Sequence, residues 1–498
     1  MPEQPDLATE FLRACAVHGP RIAVHDNGTA LSYTEFAARV LESAGTLDDL
    51  LGDGRRRIGL HAANSADYLI AYYALLATGR LPFLVDASFG ATELGQITHD
   101  CGIDAYLTDR PAFPLPAATR PIPGSGLALA VPDAGPPATA VPEPGPTTGT
   151  CRFTSGTTGR PKCLEFSHAA VLGAAGTWTA GTGLTTDDRV LCLAAFSNGL
   201  AFNTSLLPVF LAGAQLHLFQ GLPTSGRITR AVRRAGATRL IAFPLVYRLL
   251  AEATEWDPDA FATVTRAVSA AAVLDPAVRT AFESRYGVPV ADYYGVAETG
   301  PCTFERDPQH RTGLGSALPG VALRIVERPT GEPEVWVRTP SMADRYLNAP
   351  GALEERTDSD GFYATGDTGR IDEGRLYITG RISGPINLAG RKVDPVEIEA
   401  LARGLDGVED STCFADHDAR GETVLHLVVA GTRHPHRTEL IRACRDRLAP
   451  YKVPGRISFL PAIPRSAAGK VRLSELTQLL QPTNGAEEPR RQHRDGQS

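Results

Sequence analysis

Lysine is nearly absent from this chain. Of its 49 basic residues only four are lysine: Lys162, Lys392, Lys452 and Lys470. The accompanying excess of Arg, Ala, Gly and Pro points to a GC-rich coding background, in which arginine fills any position that needs only a positive charge. A lysine kept against that bias is expected where a compact ammonium on a flexible stem is required. Close cysteine pairs are missing as well. The eight cysteines, at 15, 101, 151, 163, 192, 302, 413 and 444, fit neither a zinc site nor a disulfide framework in 498 residues. They read as small core hydrophobes of a reduced, cytoplasmic protein. No apolar run reaches membrane-spanning length, so no membrane partner is expected. The amino terminus has an early acid and no basic segment leading into an apolar one, unlike a secretory signal. A net charge of -7 lacks the positive field of a nucleic-acid binder, so nucleic acid is excluded as a partner.

What is present is an ordinary globular composition, 43% hydrophobic and 21% charged, in a length that suits about two to four modules. Helical periodicity over Ser65–Leu76 precedes a short buried-strand run, Leu81–Val85. Residues 111–146 are dense in Pro, Gly and Ala and read as a long surface connection. Strand-like runs then recur at Val190–Ala194, Gln215–Phe219 and Leu240–Phe243, alternating with helical patterns at Arg227–Ala235, Leu245–Ala253 and Ala277–Tyr286. That alternation predicts an α/β architecture of largely parallel sheets. Strands dominate after Gly320, and a smaller unit follows Gly380, with helices at Pro395–Gly404 and Arg437–Leu448 and strands at Ser411–Ala415 and Thr423–Ala430. The tail 482–498 is polar and expected to be disordered.

The strongest motif is Phe153-Thr154-Ser155-Gly156-Thr157-Thr158-Gly159-Arg160-Pro161-Lys162. Its glycines allow turns that point successive N–H groups inward, its hydroxyls add donors, and Lys162 meets phosphate as a point charge. It is not a Walker loop, which needs Gly-Lys followed by Ser or Thr; Gly469-Lys470 is followed by Val471 and fails the same test.

This segment resembles the phosphate loop of the adenylate-forming superfamily: acyl-CoA synthetases, nonribosomal peptide synthetase adenylation domains and luciferases. Further motifs of that superfamily recur in order. They are Tyr294-Gly295-Val296-Ala297-Glu298, Tyr363-Ala364-Thr365-Gly366-Asp367, Tyr377-Ile378-Thr379-Gly380-Arg381, Gly390-Arg391-Lys392-Val393, Pro450-Tyr451-Lys452-Val453-Pro454 and Pro464 through Lys470. The resemblance covers nearly the whole chain. It implies a large N-terminal domain (1–381) of mostly parallel sheets flanked by helices, with a β-barrel-like subdomain. A hinge (382–384) and a small mobile α+β C-terminal domain (385–481) follow.

The activity implied is attack of a carboxylate on the α-phosphate of ATP, giving acyl-AMP and pyrophosphate. Transfer to CoA or to a carrier-protein phosphopantetheine thiol then follows. An anion approaches a polyanion, so positioning and preplaced positive charge dominate the barrier. By resemblance, Lys470 bridges the carboxylate and the α-phosphate, and Glu298 holds Mg²⁺, a hard cation that prefers oxygen ligands. The 154–159 loop and Lys162 cradle phosphate. Asp367 suits the ribose hydroxyls, Arg381 supports ribose or phosphate, and Tyr294 with Gly295 offers a flat face to adenine. Asp292 either accepts a hydrogen bond from the adenine amino group or is ordinary exposed surface. Gly390 leaves the thiol tunnel open or is a plain turn glycine.

Several positions depart from the family's pattern. Cys163 stands where glycine is usual, Ala297 replaces a threonine that bonds phosphate, and Ser383 replaces Asp or Lys at the hinge. The implied substrate pocket comprises Phe196, Ser197, Asn198 and Ala271. Amino-acid-activating members carry an aspartate where this chain has Ser197, so the acid is expected to lack a free α-amino group. Asn198 and Asn203 either orient a polar group of the acid or are structural. No fused carrier domain is expected in the short stretch after Lys470. The expected protein is a stand-alone acid:CoA or acid:carrier ligase for a small carboxylic acid. The alternatives are capture of the adenylate by an amine, or a silent nucleotide-binding relative.

Overall fold

The computed structural model describes residues 6–54, 56–133, 141–154, 160–272, 274–307, 312–328, 333–381, 386–388, 391–418, 421–431, 435–464, 471 and 473–480. The chain divides into two compact units. The larger comprises Met1–Asp394 with Leu448–Tyr451, and the smaller Pro395–Arg447 with Lys452–Ser498. The expected hinge, 382–384, and the expected disordered tail lie outside the described residues.

In the larger unit a 13-stranded sheet has a parallel centre built from Ile22–Asp26, Gln215–Leu218, Arg189–Cys192, Arg239–Ala242, Arg266–Ala270 and Val290–Val296, in that order. These short strands are mostly buried, as expected where helices cover both faces of a parallel sheet. Beyond Val296 the sheet turns antiparallel through Gly300–Phe304, Ser316–Ala317, Arg375–Arg381, Tyr363–Asp372, Glu334–Arg338 and Ala322–Val326. A second, eight-stranded sheet has a parallel core of Ala105–Thr108, Arg57–His61, Leu81–Leu84 and Thr148–Thr154. The helix expected after Ser65 runs Ala66–Ala77, and the Ser65 side chain caps it by accepting from the Tyr68 N–H.

The stretch 111–146 is not the plain surface connection its composition suggests. It contributes strands Ala117–Pro121 and Ala128–Pro132, which extend the edge of the second sheet in antiparallel pairing. The run Leu127-Ala128-Leu129-Ala130 buries Leu129 and Ala130, and an edge position tolerates the prolines that a central strand excludes.

The smaller unit is α+β. Strands Asp410–His417, Thr423–Ala430 and Arg456–Leu460 form its sheet, with helices Pro395–Arg403 and Arg437–Arg447. Val428, Ala430, Ile463 and Leu476 form part of its core. Lys452, one of the four lysines, is buried and donates to both carboxylate oxygens of Glu397 at 3.0 and 2.8 Å. Its retention as lysine therefore has a structural reason. Lys452→Met removes a buried cation from the half-buried Glu397 carboxylate and is expected to destabilise this unit by about 3–5 kcal/mol. The double variant with Glu397→Leu should recover most of that loss in denaturant unfolding.

Candidate active site

The phosphate-loop motif spans a β-hairpin. Strands Thr148–Thr154 and Lys162–Ser167 pair antiparallel, with Thr154 opposite Lys162 at the mouth of the loop. Ser155, Gly156, Thr157, Thr158 and Gly159 lie outside the described residues. Asn348 clamps the base: its Oδ1 accepts from the Cys163 N–H at 2.8 Å and its Nδ2 donates to the Pro161 carbonyl at 2.9 Å. Lys162 Nζ sits 5.5 Å from the centroid of the Tyr346 ring. Cys163, the first departure from the family's pattern, is a fully buried core thiol, and all eight cysteines are buried and free of disulfides.

Glu298 lies in the tight turn between Val290–Val296 and Gly300–Phe304 and is buried. Gly295 is required there, because a Cβ on it would meet the Gly300 carbonyl oxygen at 2.4 Å. The Tyr346 hydroxyl donates to Glu298 Oε1. Burial raises the pKa of this carboxyl, but the charge of Lys392 and the Tyr346 hydrogen bond outweigh burial and hold it below the ordinary glutamate value. The result is a covered carboxylate that stays ionised, with the hard-oxygen chemistry a divalent cation prefers.

Tyr294 and Asp367 meet directly: the tyrosine hydroxyl donates to Asp367 Oδ2 at 2.7 Å. Asp367 is buried, and its backbone lies opposite Arg381 across the strand pair. The aromatic ring and the buried carboxylate are thus coupled into one platform. Asp292 is not ordinary exposed surface. Arg279 Nη2 donates to its Oδ2 at 2.6 Å, and both line a cavity of about 630 Å³ with Leu274, Pro276, Tyr377 and Ile378. Burial raises the Asp292 pKa, partly countered by Arg279.

Of the implied substrate-pocket residues, Phe196 is buried and packs on Tyr68 at 5.5 Å, its N–H held by Asn64 Oδ1. Ser197 is half-buried. Asn198 serves the backbone, since its Oδ1 caps the short helix Gly199–Ala201 through the Leu200 N–H at 2.9 Å. Ala271 is exposed and holds a left-handed φ of +71°, a conformation that L-residues adopt at a cost and that clusters at functional sites. Asn203 is buried and makes a long 3.5 Å contact with the Tyr293 hydroxyl. It lies in a π-helical turn, Phe202–Leu206, another feature frequent at functional sites. Lys470 and Gly390 lie outside the described residues, as does Ser383.

Motif reading does not find Tyr346, Asn348, Arg279 or Arg152. The first two support the loop and Glu298 from more than 40 residues away in sequence. Arg152 has a positional signal alone, a charge inside the apolar strand Cys151-Arg152-Phe153.

The family model for AMP-binding enzymes matches residues 11–347, and that for the AMP-binding enzyme C-terminal domain matches 397–470. The chain belongs to the AMP-binding enzyme family. A methyl-dioxo-octahydroindenyl propanoyl:CoA ligase of Rhodococcus jostii is 28% identical over 514 residues, covering 95% of this chain and 98% of that relative. A solved structure of a double mutant of o-succinylbenzoate CoA synthetase from Bacillus subtilis superposes with a TM-score of 0.81 at 21% identity, covering 95% and 98% of the two chains. An amide bond synthetase from Marinactinospora thermotolerans gives 0.79 at 22%, covering 94% and 99%. The two structural likenesses speak to the fold, which this AMP-binding chain shares with both.

The Glu298 network carries a pH signature. Its pKa is depressed in the folded state, so ionisation adds stability that is complete above the unfolded value of roughly 4.3. That stability is lost as pH falls through the folded value. Tyr346→Phe removes the hydrogen bond and narrows the gap. Urea unfolding should show a loss of about 2 kcal/mol near pH 7 that shrinks toward acid pH; a pH-independent loss contradicts this reading.

Proposed function

We propose that this AMP-binding enzyme is an AMP-forming acid–thiol ligase. It adenylates a small carboxylic acid with ATP, releasing pyrophosphate, and then passes the acyl group to a thiol with release of AMP. The observation that carries this reading is a buried, ionised Glu298 four residues along the chain from Tyr294, whose hydroxyl bonds Asp367 from a more distant strand of the same sheet. Full-length similarity to the Rhodococcus jostii CoA ligase supports it.

The residues divide the work. Tyr294 and Gly295 flank the adenine, Asp292 accepts from its amino group, and Asp367 with Arg381 holds the ribose. Thr154 to Gly159 and Lys162 hold the phosphates. Glu298 fits Mg²⁺ by charge and donor type, and the cation, when bound with ATP, neutralises charge on the phosphates. Lys470 bridges the reacting carboxylate and the α-phosphate, so that two anions can meet. Gly390 keeps the thiol route open. The protein works in the cytoplasm, with free CoA or a separate carrier protein as acceptor. A charged group packed against the 196–203 segment is a cation, Arg152, which disfavours an α-ammonium on the substrate. Capture of the adenylate by an amine is the second reading, supported by Ser383 at the hinge position and by the fold shared with an amide bond synthetase.

The test is turnover of MgATP with an acid panel, with CoA, with an amine, or with neither. Thioester formed with CoA supports the ligase, amide formed with amine supports the second reading, and absence of pyrophosphate release overturns both. Lys470→Ala should lower acid-dependent pyrophosphate exchange by about 10²–10⁴-fold, the range for losing a key electrostatic group. An unimpaired variant removes Lys470 from the mechanism.

A further inference from the structure

Arg152 is a buried cation without a counter-ion in contact. It is only 3% exposed, and it makes no ion pair among the described residues. Its one hydrogen bond there runs from Nη2 to the Ala297 carbonyl at 2.9 Å, and its buried Nε has no partner. A guanidinium carries five donors, and native interiors rarely leave them unmet. Among the described residues the Ala297 carbonyl is the one acceptor it bonds. The group lies 5.5 and 5.1 Å from the ring centroids of Phe166 and Phe202. On a further side is Gly199, where a Cβ would stand 2.8 Å from Nη1, so the absence of a side chain is what admits the arginine. Burial lowers its pKa to about 10, against the attraction of the Glu298 charge. It remains a cation at neutral pH.

Its position decides what it is for. Phe202 and Gly199 belong to the segment assigned to the acyl pocket, and Ala297 directly precedes Glu298. The cation therefore sits between the place for the acyl chain and the place for the phosphates. We propose that Arg152 anchors a second carboxylate of the substrate, so that the preferred acids are dicarboxylic, one carboxylate being activated while the other is held. This rests on the adenylating reading above. A planar fork pairs bidentately with a carboxylate, and such a pair inside an apolar surround gives both charge balance and orientation. The anchored group is not the reacting one. A fork clamped on the nucleophile would engage the lone pairs that must attack phosphorus, and the flanking phenyl rings suit the body of an acyl chain. Arg152 is thus a specificity residue; it takes no part in bond making.

The test compares each diacid with its monoamide of equal length as substrate for pyrophosphate release by the full chain with MgATP. The wild-type protein should prefer diacids by about 10²-fold in kcat/KM, mainly through KM, the discrimination expected when a buried polar group loses its partner. Arg152→Met should lower kcat/KM for diacids about 10²–10³-fold while the monoamides change by only a few-fold, reversing the preference with KM for ATP unchanged. Arg152→Lys should retain an intermediate preference. Equal or better use of monoamides by the wild-type protein overturns the proposal, and needs no variant. So does an equal loss on both substrates in Arg152→Met, which marks a structural or Glu298-supporting role. If no acid of either kind releases pyrophosphate, the adenylating reading falls and takes this inference with it.

Discussion

Keeping a carboxylate charged under cover is the constraint around which the larger unit is arranged. Glu298 is buried, and burial alone favours its neutral form. The Tyr346 hydroxyl and the Lys392 charge reverse that tendency. Tyr346 itself follows directly on Arg345, which pairs with Glu165 at 3.0 Å, and Glu165 lies on the second strand of the phosphate-loop hairpin. The hairpin strand Lys162–Ser167, the acid and its support are therefore linked across two sheets.

A second constraint joins the Tyr294 ring to the Asp367 carboxylate. Tyr294 and Asp367 come from strands 73 residues apart, and a single 2.7 Å hydrogen bond joins them. Their register is held by the antiparallel run that carries Tyr363–Asp372 beside Arg375–Arg381. The parallel half of the sheet delivers Tyr294 from the other side, on Val290–Val296. The change from parallel to antiparallel pairing falls at the strand that carries Tyr294, which pairs parallel with Arg266–Ala270 and antiparallel with Gly300–Phe304.

Most elements are legible in the sequence because their periodicity is local. Thr423–Ala430 and Pro276–Tyr286 show it: the hydrophobic pattern lies within each segment, and the helix's cap Asp275 and breaker Gly287 adjoin it directly. Residues 111–146 mislead because their strands are built from small side chains at an edge, where composition resembles a loop. In the candidate site, Glu298, Tyr294 and Asp367 are singled out in the sequence by the family resemblance of their motifs. Their supports are not, since Tyr346 and Arg279 act through contacts that only folding creates. Asn198 is the structural alternative made visible, a polar residue in a pocket segment whose Oδ1 caps a short helix. Arg152 has a sequence signal, a charge within an apolar strand, but its meaning depends on the rings and the glycine that surround it.

The account turns on Glu298 acting as an anion toward the nucleotide's cation, and calorimetric titration of ATP with and without Mg²⁺ tests this most directly. Mg²⁺ should strengthen ATP binding to the wild-type protein by at least about tenfold, and should do so little or not at all in Glu298→Gln, where the charge alone is removed. The same Mg²⁺ dependence in both proteins contradicts the account.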